Sequence, residues 1–499
     1  MREPDFSPLI ADISEISPIR ARGSVCAIES GTVALGGLAR RCRVGDLVTV
    51  TTAARRRIGG EIVALRGDAA VMLPFDHPEG VALGDAAECR PQAPLRPSLH
   101  WRGRMLDAFG RPMDGRPVLN GTRPAELRCA PPPAVGRKRL GGRLETGLAV
   151  FNTMLPIARG QRTGLFAGSG VGKSSLLGSL ARGVEADVIV FALIGERGRE
   201  LVEFVTSTLG EAALRRSVVL AATSDLSPLI RRRAAWTAMS VAETFRDAGH
   251  HVLLLADSVT RFAEAHREVA LAAGEPPSLR AFPPSTGHMI AALTERAGPG
   301  PGGSGDITAV FSVLVAGSDM DDPVADILRG VLDGHVVLDR EIAERGRFPA
   351  IDVRRSVSRS LPRAATAGEN ALLARARGIL GTYHRVEPMV QTGLYVSGAD
   401  AAADDAVARW PHLDAFFSRE NISVADSFAA LAEAVGQAGD APAPDVSAGS
   451  AEPLAAADTP AAGGAAAAGG EPAHRARAGD GQPAPAGDGG TPGPDGGAA

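Results

Sequence analysis

The chain has 499 residues, 44% of them hydrophobic, which is enough for roughly two to four domains around large cores. Its formal net charge of −4 and pI near 6.2 exclude a dominant nucleic-acid or anionic-membrane footprint. Cys26, Cys42, Cys89 and Cys129 form no C-x-x-C and lie far apart in the sequence, which reads as free, buried thiols in a reducing compartment.

No basic start runs into an apolar stretch, so no signal peptide is expected. Apolar runs such as 188–194 and 252–256 are too short to cross a bilayer. A cytoplasmic protein is predicted, reaching a membrane only through partners. In residues 1–18, Phe6, Leu9, Ile10, Ile13 and Ile16 fall on one helical face, with Asp5, Asp12 and Glu15 elsewhere. Such an amphipathic segment either docks a partner or packs on its own domain. Over 19–95 the pattern changes to short apolar stretches at 24–28, 47–50, 61–65 and 69–73. Gly-Asp pairs at 45–46, 67–68 and 84–85 punctuate them, and this spacing predicts a small β-barrel. Residues 96–145 read as a turn-rich connector that ends in three prolines at 131–133 and a basic run at 137–143.

From 146 to 365, β-like runs at 163–167, 187–194, 217–221, 251–256 and 307–316 alternate with helical stretches at 199–209, 228–248 and 258–273. That alternation predicts an α/β core, a mostly parallel sheet covered on both faces. The glycine-rich run 298–305 is expected to be a mobile loop near a pore or subunit edge. Residues 366–436 read as helical, with Gly398 and Pro411 as punctuation. The Ala/Gly/Pro-rich stretch 437–499 carries no large apolar residue beyond Leu454, so disorder is expected there.

Residues 167–174 read A-G-S-G-V-G-K-S between a β-like and a helical stretch. Gly168, Gly170 and Gly172 permit positive φ, so the backbone N–H groups from Gly168 and Ser169 through Val171 can converge on one centre at a helix N-terminus. Lys173 then reaches the β- and γ-phosphates, the Ser174 hydroxyl ligands Mg²⁺, and Ser175 completes the expected cradle. This is a P-loop in which Ala167 replaces the usual first glycine. The apolar run 251–256 ends in Asp257, the Walker B position for the Mg²⁺ shell, although an acidic residue there also caps a following helix. Glu196 follows another strand-like run, where a carboxylate can deprotonate an attacking water or merely pair with Arg197 or Arg199. On residue type alone Arg359 is a solvated surface arginine, and Arg231 to Arg233 form a polar helical face. The adjacent His250 and His251 lack metal-pair spacing, so no zinc site is read.

Together with T-G-L-A-V-F-N-T-M-L-P-I-A-R-G-Q-R at 146–162, I-G-E-R-G-R-E at 194–200 and D-S-V-T-R-F-A-E-A-H-R-E-V-A-L-A-A-G-E-P-P at 257–277, these motifs resemble the rotary-type hexameric ATPases related to F-type ATP synthase α/β subunits. V-L-V-A-G-S-D-M-D-D-P-V-A-D-I-L-R-G-V-L-D-G-H at 313–335 and F-P-A-I-D-V-R-R-S-V-S-R at 348–359 extend the likeness across about residues 20–430 and place it nearest the flagellar and type III secretion export ATPases.

The resemblance implies a β-barrel crown, a RecA-type core, a helical C-terminal domain and a hexamer with ATP and Mg²⁺ at subunit interfaces. It implies that Glu196 is the catalytic base, that Arg197 lies near the γ-phosphate and that Arg359 is an arginine finger from the neighbouring subunit. It also implies that Phe348 stacks on adenine, with Tyr395 as a second candidate. A stator-like regulator at the N-terminal segment, an export gate, chaperones and exported substrates are the implied partners, at the inner-membrane export apparatus. Asn152 stands where the family has Asp, and Ala281 where it has Gly. A virulence-type secretion ATPase and a proton-driven ATP synthase catalytic subunit are alternatives. An RNA translocase is disfavoured because Phe75 is the only Phe, Tyr or Trp of the expected barrel. A non-catalytic scaffold is disfavoured because it would not need Glu196.

Overall fold

A computed structural model describes residues 20–437 other than 30 and 316–321, together with Ser7, Ile10 and Ile13. The strands β1 (Ala21–Glu29), β2 (Thr32–Gly36), β3 (Leu47–Thr51), β4 (Arg57–Arg66), β5 (Ala69–Pro74) and β6 (Ala86–Arg90) close into a barrel in the order β1-β2-β5-β4-β3-β6. Alternation builds it: Val33 and Leu35 of β2 and Val48 and Val50 of β3 point inward, while their neighbours face outward. The sequence reading missed β2 and β6. Both are five residues long, and β6 (A-A-E-C-R) is poor in β-branched residues.

The reading of four separate, buried thiols changes at one pair and at Cys26. Antiparallel pairing of β6 with β1 and β3 closes the barrel and brings Cys89 to Cys42, 47 residues away in the chain. The two sulfurs adjoin, with Cα atoms 6.7 Å apart, whereas Cys26 and Cys129 stand apart and Cys26 is exposed.

The core sheet runs β15-β14-β8-β13-β11-β9-β10-β7. Its strands are β7 (Arg104–Leu106), β8 (Arg162–Ala167), β9 (Val188–Glu196), β10 (Ser217–Thr223), β11 (His251–Asp257), β12 (Gly298–Pro299), β13 (Asp306–Leu314), β14 (Gly334–Val337) and β15 (Val357–Ser358). The central ladders from β14 through β8, β13, β11, β9 and β10 to β7 are parallel, while β12 and β15 pair antiparallel at the margins. Helices cover both faces, so central strands are buried on both sides and mostly apolar. On β9, Ile189, Phe191 and Leu193 meet the layer that contains Leu176, Leu180 and Phe204. Val188, Val190, Ala192 and Ile194 meet the layer of Trp236, Met239 and Phe262. β7 comes from the stretch read as connector and supplies an edge strand of this sheet.

Three further expectations change. The glycine run is a turn at the N-terminal end of β13, exposed at 301–303, and close approach accounts for two of its glycines, Gly300 and Gly305. A Cβ on Gly305 would lie 1.8 Å from the His250 carbonyl oxygen, and one on Gly300 would lie 2.4 Å from that of Gly305. The predicted 199–209 helix extends over Gly198–Glu203, a π-helical turn Phe204–Leu209 and Gly210–Arg215. Pro411 does not punctuate. It sits inside the helix Ala401–Phe417, which follows Ala367–Gln391 and precedes Val424–Ala434.

Asn152 is buried with every amide group used. Its Oδ1 accepts from the Thr146 N–H and hydroxyl at 3.0 and 2.9 Å, and its Nδ2 donates to the Ile422 carbonyl and Ser427 Oγ at 2.9 and 3.1 Å. A carboxylate could not donate those last two bonds. Ala281 holds φ +63° beside Arg280 at +48°. Of the N-terminal segment only Ser7, Ile10 and Ile13 are described; all three are helical, and Ile10 and Ile13 are exposed. Its other positions and the expected disordered tail beyond 437 lie outside the described residues.

Candidate active site

The site lies at the C-terminal ends of the central strands. β8 ends at Ala167, and the helix Lys173–Gly183 begins six residues later. Gly170 and Gly172 sit in the left-handed region at φ 77° and 88°, which an L side chain would strain. No side chain caps this helix, so its first N–H groups and its positive dipole end face the loop. Val171 is buried and anchors the loop, while Ser169, Ser174 and Ser175 are exposed. A Cβ on Gly172 would touch the Phe348 ring at 3.3 Å, so this half-exposed aromatic lies over the loop.

Beneath the loop three charged groups converge. Lys173 Nζ donates to Asp257 Oδ1 at 2.5 Å and reaches Glu196 Oε1 at 3.4 Å. Asp257 ends β11, Glu196 ends β9, and Gly195 at φ 71° turns the chain just before Glu196. Burial alone would pull the Lys173 ammonium down. The Asp257 and Glu196 charges and hydrogen bonds outweigh burial and hold its pKa above the ordinary lysine value. Burial, then the Asp257 charge, pushes Glu196 above the usual carboxylate range against the pull of Lys173. A carboxylate so raised is a better proton acceptor than an ordinary exposed one.

The remaining sequence candidates divide. Arg197 is largely exposed and 3.4 Å from Glu200. Arg359 is exposed just past the edge strand β15; its N–H donates to the Asp333 carbonyl at 3.0 Å, and its guanidinium reaches the Arg329 carbonyl at 3.4 Å. Tyr395 is committed to the C-terminal helices, with its hydroxyl donating to Asp404 at 2.6 Å, so the structure ties Phe348 and not Tyr395 to the loop.

The sequence reading missed two residues. Arg261, four positions after Asp257, packs its stem over Gly195, where a Cβ would be 3.0 Å from its own, and so lies beside Glu196. Ser312, buried on β13, donates to Asp257 Oδ1 at 2.6 Å, and no sequence motif marks it.

These residues fit a nucleotide with Mg²⁺. The loop glycines leave backbone room for phosphate, an ammonium stands at the base, and a hydroxyl at 174 and a carboxylate at 257 are hard-oxygen ligands. Fold and site together define a P-loop ATPase of the rotary type. Residues 147–358 match the ATP synthase alpha/beta family nucleotide-binding domain, and residues 365–433 match the T3SS EscN ATPase C-terminal domain. The flagellum-specific ATP synthase of Caulobacter vibrioides is 43% identical over 435 residues, covering 85% of this chain and 98% of that protein. That of Salmonella typhimurium is 43% identical over 381 residues, covering 74% and 83%. Among solved structures, the assembled ATPase EscN of the enteropathogenic E. coli type III secretion system superimposes with a TM-score of 0.76 at 36% identity, over 83% of this chain and all of that one. EscN in complex with its central stalk EscO gives 0.73 over the same shares. The chain belongs to the flagellum-specific ATP synthase family of ATPases. Among the described residues no helix is long and apolar enough to cross a membrane.

Proposed function

We propose that this ATPase hydrolyses ATP in a homo-hexameric ring to drive export of flagellar proteins through a type III secretion apparatus. The observation that carries the chemistry is the convergence of Lys173, Asp257 and Glu196 beneath the loop. Backbone N–H groups from Gly168 to Ser175 and the Lys173 ammonium bind the phosphates, and Phe348 stacks on the base. Ser174 and Asp257 hold Mg²⁺, which neutralises phosphate charge when bound. Glu196 takes the proton of the attacking water, and Arg197 and Arg261 add positive charge beside it. Arg359, at the rim of the sheet, serves the neighbouring subunit's site as a finger.

The working location is cytoplasmic, at the inner-membrane export apparatus. The N-terminal segment binds a stator-like regulator, and the export gate, chaperones and substrates are further partners. The solved complex of EscN with its stalk EscO supports a stalk-like partner for the ring as well. Segments 1–18, 19–95, 96–145, 146–365, 366–436 and 437–499 are the proposed division of labour.

A finger supplied by another subunit makes activity depend on assembly. Activity per subunit should rise with protein concentration, and Arg359→Ala should lose about 10³-fold or more in turnover while still binding nucleotide. Near-normal turnover in Arg359→Ala, with wild-type activity flat on dilution to monomers, would overturn the shared site.

A further inference from the structure

The buried face of β13 carries a hydroxyl that the P-loop, Glu196 and Asp257 motifs leave unexplained. β13 lies between β8, which leads into the P-loop, and β11, which ends in Asp257. In the parallel register Phe311 is opposite Ala256 on one side, and Ser312 is opposite Leu165 on the other. The next step of the ladder brings Ser312 level with Asp257. Ser312 has no exposed surface and sits in a run, Val310 to Leu314, that is otherwise apolar. A hydroxyl there is costly unless it is hydrogen-bonded. Its partner is Asp257 Oδ1 at 2.6 Å, the same oxygen that Lys173 reaches. One residue past β13, the Val315 N–H donates to the Ala167 carbonyl at 3.0 Å, and Thr260 Oγ1 accepts from the Leu314 N–H at 2.8 Å. The strand is therefore fixed both to the start of the loop and to the helix that follows Asp257.

We infer that Ser312 is a positioning residue for the metal-binding carboxylate, an inference that rests on the nucleotide–Mg²⁺ reading of this site. Lys173 has to serve phosphate and so cannot hold Asp257 in place through the cycle. Ser312 has no other duty. Its hydrogen bond, charge-assisted and closed off from water, keeps the Asp257 carboxylate in one orientation whichever partner Lys173 takes. The expected signature is a change in how strongly Mg²⁺ improves nucleotide binding, with little change in binding without the metal.

The test uses the full-length protein and a fluorescent, slowly hydrolysed ATP analogue, titrated with Mg²⁺ and again with EDTA. Ser312→Thr and Ser312→Val are the decisive pair, since they match in bulk and differ only in the hydroxyl. Ser312→Thr should keep the wild-type Mg²⁺ enhancement. Ser312→Val and Ser312→Ala should lose about tenfold or more of it, the scale of a hydrogen bond to a charged group, while affinity in EDTA stays within about twofold. Equal Mg²⁺ enhancement in the Thr and Val variants would overturn the inference, as would losses in EDTA as large as those in Mg²⁺. If the wild-type protein itself binds the analogue no better with Mg²⁺, the metal reading of the site fails first, a result distinct from the other two.

Discussion

The two ends of the central sheet use the same strands and similar charged residues to opposite purposes. At the N-terminal end Asp306 accepts from Lys138 Nζ and Arg159 Nε, each at 2.7 Å. Burial pushes its carboxyl up, but those hydrogen bonds outweigh burial and hold it below the usual range. His251 sits nearby with Nδ1 3.1 Å from the Glu185 carbonyl and Nε2 2.9 Å from Thr308 Oγ1. At the C-terminal end a single ammonium, Lys173, is shared by two carboxylates, and Glu196 is held above the usual range. A charge with a full set of partners builds the fold. A charge left short of partners beside an uncapped helix start builds the site.

That contrast breaks most sharply at Glu196. Glu196→Gln keeps shape and polarity but cannot take a proton, so turnover should fall by roughly 10²–10⁴. Phosphate release would measure the fall, and nucleotide binding and melting temperature should barely move. Wild-type turnover in that variant would remove Glu196 from the chemistry. Gly305→Ala should do the reverse. Its Cβ would meet the His250 carbonyl at 1.8 Å, so the backbone has to shift, at about 1–3 kcal/mol of stability. Thermal melts would show the loss, while folded protein keeps its nucleotide affinity; weakened affinity would mean the two ends are not separable.

The smallest effect is the pH response of the N-terminal end. Burial, aided by the Arg159 charge, lowers the His251 pKa below its ordinary value. As pH falls through the ordinary histidine range the unfolded chain takes up the proton first, so stability is full above that range and drains away below it. Each unit of depression corresponds to about 1.4 kcal/mol. Melting temperature against pH should therefore slope less between pH 7 and 5 in His251→Gln than in the wild type, and parallel slopes would show that His251 does not set the response.

Contiguity decided what could be read from the chain. The P-loop is one continuous segment, so its glycines, Lys173 and Ser174 were legible residue by residue. Glu196 and Asp257 were legible because each ends an apolar run, and strand ends in such sheets face ligands. Ser312 was not, because its role depends on β13 lying beside β11, and sheet order is absent from local pattern. The pairing of Cys42 with Cys89 was hidden for the same reason, by a barrel closure that joins the first and last strands. Composition hid the tight packing of Gly300 and Gly305 within the run 298–305, and it misled at Pro411, which a helix interior accommodates.

Lys173 lying across Asp257 and Glu196 has a further result for how ligands arrive. On the proposed reading a phosphate group would not meet a free cation there; it would have to win the ammonium from both carboxylates. Binding would thus be an exchange of partners and not the addition of one. Each carboxylate that gives up the ammonium is left with charge that a divalent ion can answer. Nucleotide and cation would in that sense be coupled ligands: taking on either one would improve the terms for the other, by the same factor in both directions.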